Sequence, residues 1–193
     1  MSNLTSLKMA NTFTSLMHEL EAESHRGSIV LAASWLDDQL TQLLKGFLCP
    51  PADNARDELL RVGGALGSFS VKIELAYRLG LLRKDVYRSL HIVRRLRNDF
   101  AHLTAKLDLD SPSVRDRVTT LFQLNEPVLE AIWHDVSELD ELKQIASSNL
   151  LQGPLANLVA MLGVRPLLHM TLSITVAGLA LATDQIEQCA ELR

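Results

Sequence analysis

Between Ser28 and Phe47 the apolar positions Ile29, Ala33, Leu36, Leu40, Leu43 or Leu44, and Phe47 recur at alternating three- and four-residue steps. That is the repeat of a helix with one buried face. Pro50 and Pro51 end it, because proline has no N–H for the ladder and its ring clashes with the preceding turn. A weaker repeat, Leu4, Leu7, Phe13, Leu16, Met17 and Leu20, predicts a helix over 4–23. Val62 to Gly67 reads as a flexible connection. A helix over 70–79 follows, with Gly80 placed as its left-handed cap and Glu74 and Arg78 as an i, i+4 pair.

Val86, Leu90, Val93 and Phe100 predict the next helix, over 84–102. Ser111 or Ser113 can start another over 113–124, and Pro127 kinks it or begins a new one. Val128, Ile132, Val136, Leu139, Leu142 and Ile145 carry the repeat over 128–149, and Gly153-Pro154 breaks it. Helices over 155–162 and 166–191 complete the chain. No run alternates with period two, so strands are not expected. The expected fold is therefore all-α, a multi-helix up-and-down bundle. All 193 residues are read as one domain, with a core bundle over about 26–150 and C-terminal helices over 154–191 packed on it.

A chain of this length buries enough surface to fold without disulfide or metal staples. Cys49 and Cys189 are far apart and at no metal-ligand or redox spacing, so two reduced thiols are expected. No metal or other cofactor is implied. Pro166 to Ala182 is strongly apolar, but it spans only 17 residues and includes His169, Gly178 and several hydroxyl side chains. A membrane-spanning helix needs about 20 apolar residues. The stretch is expected to be a core helix, with no role for a membrane. The first twenty residues lack the basic start and apolar run of a secretory signal, which makes the cytoplasm the expected location.

Charge changes the picture at one place. The net charge is −4, yet Arg78 to His102 carries seven Arg or Lys against Asp85 and Asp99. Such a block either attracts phosphates or docks on an acidic surface of its own chain or a second subunit. On a helical wheel Arg97 falls in the middle of the apolar face of the 84–102 helix. A guanidinium buried there needs a partner, and Asp37, on the shoulder of the 28–47 stripe, is the candidate. Such a pair is either a structural ion pair or part of a functional site. His91, Asn98 and His102 share one side of the helix. His91, Arg94, Arg95 and Asn98 are the candidate binding residues.

Two resemblances follow from this segment. Leu66-Gly67, Ser70-Val71-Lys72, Tyr77 and Leu79-Gly80, within Gly64 to Leu82, resemble the signature of the mannitol-operon-repressor (MltR) family. That resemblance implies a helical regulator linked to repression, acting through protein–protein or weak nucleic-acid contacts without a typical DNA-binding motif. It also implies a homodimer or other homo-oligomer and a protein partner in transcription control. Arg97-Asn98-Asp99-Phe100-Ala101-His102 resembles the RX4H motif of HEPN domains. It implies the alternative of a metal-independent ribonuclease or toxin-like protein acting on RNA. There Arg97 would bind and polarise the phosphate and His102 would move the proton. A cation closing a helix C-terminus is the structural reading of His102. The longer match favours a non-enzymatic regulator. Gly63, Gly64 and Gly67 do not make a phosphate-binding loop, because no Gly-Lys-Ser/Thr follows.

Overall fold

The computed structural model describes residues 3–52, 56–102, 109, 111–137 and 153–186. Among these residues there are eight helices and no strand. They are α1 (Asn3–Ala22), α2 (His25–Phe47), α3 (Phe69–Arg78), α4 (Lys84–His102), α5 (Pro112–Leu124), α6 (Glu126–Ser137), α7 (Pro154–Leu162) and α8 (Val164–Gln185). The all-α bundle expected from the apolar spacing is therefore the observed architecture. The expected continuation of the sixth helix over 138–149, and that of the last helix beyond 186, lie outside the described residues.

Helix α2 is the central element, packed on α8, α4 and α3, while α1 also packs on α8. It starts because the Ser24 hydroxyl accepts the Gly27 N–H at 3.0 Å, which satisfies one of the unpaired donors of the first turn. Ile29, Ala32, Ala33, Leu36, Leu40, Leu43 and Leu44 are buried along it, a stripe that only a 3.6-residue repeat can present to one side. Phe47, read as the end of that stripe, is 39% exposed. Helix α4 packs on α2, α3 and α5, and α6 packs on α7.

Helix α3 is bounded by two local devices. Ser68 accepts from Val71 N–H at its start. At its end Gly80, at φ +76°, lets Leu81 N–H reach Ala76 O while Gly80 N–H reaches Tyr77 O. That is a Schellman closure, and it needs the left-handed backbone that glycine adopts without strain.

The segment before α3 is a folded turn and not the flexible connection expected. Asp57 Oδ1 accepts from both Leu59 and Leu60 N–H at 3.0 Å. Leu66 N–H then closes back on Leu59 O at 2.8 Å, and Gly64 N–H on Arg61 O at 2.8 Å. A Cβ at Gly64 would press on the Glu58 and Leu59 carbonyl oxygens, and one at Gly67 would overlap that of Arg61. These glycines are required by close backbone approach.

Helix α8 is long and apolar enough to cross a membrane by length and composition. Within the bundle, Leu167, Leu168, His169, Thr171, Leu172, Ser173, Val176, Ala177 and Leu179 are buried. Thr171 and Thr175 return their hydroxyls to the carbonyls four residues back at 2.8 Å, which keeps them satisfied in an apolar setting. Cys49 is held in a disulfide, against the expectation of two reduced thiols.

Candidate functional site

The arginine-rich helix α4 buries Ser89, Leu90, Ile92, Val93, Leu96 and Phe100. The wheel read from Val86, Leu90, Val93 and Phe100 alone left out Ile92 and Leu96. Both extend the buried arc away from Arg97 and leave that residue on its shoulder. The Arg97 side chain is exposed, and its Nη1 donates to Asn98 Oδ1 at 3.1 Å. A long guanidinium stem reaches water from such a shoulder at little cost.

The expected Asp37–Arg97 pair is thus replaced by another. Asp37 Oδ1 accepts from Lys72 Nζ at 2.8 Å, and Lys72 also donates to Thr41 Oγ1 at 2.8 Å. The Lys72 side chain is only 5% exposed, so the cation that is buried against Asp37 is this lysine on α3. A buried cation does meet Asp37, and it is Lys72 rather than Arg97. Lysine lies between Val71 and Ile73, and nothing in its local pattern distinguishes a buried ammonium from an exposed one.

A groove of about 520 Å³ lies over α4, flanked by α3 and α5. Its α3 wall is Glu74, with Tyr87 and His91 of α4 beside it. Tyr87 Oη donates to Glu74 Oε1 at 2.7 Å. The Tyr87 ring stacks on Tyr77 with centroids 4.3 Å apart and meets His91 edge-on at 4.6 Å. His91 Nε2 stands 3.2 Å from the same Glu74 oxygen, close enough for an ionic contact but not aligned for a hydrogen bond. On the other side Arg117, Thr120 and Leu124 of α5 line the groove, and Arg88, Ile92 and Arg95 of α4 form the floor between. Arg117 is held by Asp99.

The electrostatics follow from these contacts. The Tyr87 hydrogen bond holds the Glu74 carboxyl below its usual range, against the opposing effect of burial. The same bond raises Tyr87. Burial lowers His91, partly opposed by Glu74 and reinforced by Arg94 and Arg95. His91 is therefore neutral near pH 7, beside an ionised Glu74.

Of the binding residues expected from sequence, His91 and Arg95 line this groove. Arg94 is half-buried, with its Nε unpartnered, and does not line it. Asn98 lies half-buried two turns beyond His91 and is bonded to Arg97. The His102 side chain lies outside the described residues, so the Arg97–His102 pairing rests on sequence alone. Glu74, Tyr87, Arg88 and Arg117 were not singled out. Glu74 had been read as the partner of Arg78, one turn away on its own helix. Its hydrogen-bond donor is Tyr87, across a helix boundary where spacing gives no signal. Among the described residues no three His, Cys, Asp or Glu side chains gather as a metal set.

No family model matches the sequence, and no curated protein matches it. A chain in the X-ray structure of the MtlR–HPr complex from Escherichia coli is similar in structure. The TM-score is 0.51 and the identity 17%, over 84% of this chain and 99% of that one. The bundle thus has an MtlR-like fold.

Proposed function

We propose that this chain is an MltR-like transcriptional regulator that acts by binding another protein. The observation that carries the reading is the match in fold along nearly the whole of a chain from the MtlR–HPr complex. The Gly64 to Leu82 resemblance supports it independently. Arg88 and Arg95 are exposed on one side of α4, a basic patch that suits an acidic partner surface. Helix α4 is flanked by α3 and α5, which leaves a narrower exposed strip than a recognition helix in a DNA groove requires. The regulator would be a homo-oligomer in the cytoplasm, one domain in each copy, without cofactor or enzymatic activity. The test is titration of the purified protein with HPr from the same cell, followed by transcript profiling of a deletion strain. A complex together with raised transcripts is expected. No complex and an unchanged profile would remove the reading.

One observation favours a second reading, a HEPN-type ribonuclease. Arg97 is exposed beside Asn98 and so is free to meet an RNA phosphate. Cleavage of RNA by the purified protein, lost in His102→Ala with the helical content unchanged, would support it. Intact RNA after incubation would dismiss it.

A further inference from the structure

The groove between α3 and α5 combines features that point to a ligand of a particular kind. Its volume, about 520 Å³, lies in the range of small-molecule sites. Three guanidinium groups, Arg88, Arg95 and Arg117, line it against one carboxylate, Glu74. With His91 neutral and Arg117 already paired with Asp99, the site carries one net positive charge. Helical geometry orders these groups. Tyr87, His91, Arg95, Arg88 and Ile92 follow one another around α4 at 100° per residue, sweeping from the α3 side to the α5 side. The cations therefore occupy the floor and the α5 wall, while the acceptor Glu74 stands on the α3 wall.

From this arrangement we infer that the groove binds a small organic phosphate, with the phosphate on the arginines and a hydrogen-bond donor of its body directed at Glu74. Arginine forks match phosphate oxygens in a bidentate way, and the exposed guanidiniums of Arg88 and Arg95 on the groove floor are the forks available. A nucleic-acid backbone fits less well, because its next phosphate would meet Glu74. Ile92, Leu124 and the Tyr87 ring supply apolar surface for the body of the ligand. The His91 ring is 15% exposed, with its Nε2 buried against Glu74, so it reports on charge bound in the groove without reaching into it. The inference stands on the groove alone and does not depend on the regulator reading.

The experiment is calorimetric titration with phenyl phosphate, inorganic phosphate and phenol, each to about 10 mM, with the His91 ring followed by NMR. Phenyl phosphate should bind in the millimolar range or tighter, inorganic phosphate more weakly and phenol not at all. Binding should raise the His91 pKa, because a bound dianion favours the imidazolium. Arg88→Gln with Arg95→Gln, whose side chains are exposed, should keep the thermal transition of the wild type and weaken phenyl phosphate about tenfold or more. Glu74→Gln should bind inorganic phosphate as tightly as wild type or tighter. The inference is overturned if phenyl phosphate gives neither heat nor a His91 shift. Affinity unchanged in the double variant overturns it too, as does binding of an RNA oligonucleotide without binding of phenyl phosphate.

Discussion

His169, in the second turn of α8, makes the stability of this bundle depend on pH. The residue is 1% exposed, and neither ring nitrogen has a hydrogen-bond partner. Burial first, then the positive charges of Arg165 and His25, push its pKa from 6.5 down to about 4. Between these values the unfolded chain binds a proton that the folded chain does not. Stability from this group is therefore complete above about pH 6.5 and falls as the pH drops toward 4. The full gap is worth about 3 kcal/mol, of which about 2 kcal/mol is lost by pH 5. That figure is a ceiling, since local opening that wets the protonated ring would reduce it. Leucine has nearly the volume of histidine and no charge to gain. Urea unfolding of wild type and His169→Leu at pH 7 and pH 5, followed by circular dichroism, measures the effect. The variant should lose about 2 kcal/mol less than wild type between the two pH values. His91, lowered in the same direction, is present in both proteins and cancels in the comparison. Equal pH dependence in the two proteins would refute the claim that a buried neutral His169 sets the acid limit.

Three other outcomes are expected. Asp37→Ala strands the Lys72 ammonium with Thr41 alone and should cost about 3 kcal/mol in denaturant unfolding, most of it recovered by adding Lys72→Met. Two glycines should respond in opposite directions. Gly67→Ala drives a methyl into the Arg61 carbonyl and should destabilise by about 2 kcal/mol or more. Gly178→Ala, in open space within α8, should raise stability by about 0.5–1 kcal/mol, read as a shift in thermal midpoint. Finally, Arg97→Ala should unfold within about 0.5 kcal/mol of wild type, because its side chain is exposed. A loss of several kcal/mol would restore the buried pair.

The sequence by itself determined the helices. Apolar spacing located the buried stripe of α2 because a helix core is written every three or four residues, and Gly80 marks a boundary through chemistry confined to one turn. It also flagged Gly64 and Gly67, though not their reason, since the carbonyls they approach come from a backbone turn that spacing does not describe. What crosses between helices was decided only by the tertiary structure. A helix wheel gives angles but not where neighbouring helices sit, so Arg97 was assigned to the core and Lys72 was overlooked. Asp37 waits on α2 for whichever cation α3 or α4 delivers, and packing delivers Lys72. The groove follows the same rule. Glu74, His91 and Arg117 belong to three helices and meet only when these pack together, because charge and shape in a bundle depend on inter-helix placement that no periodicity encodes.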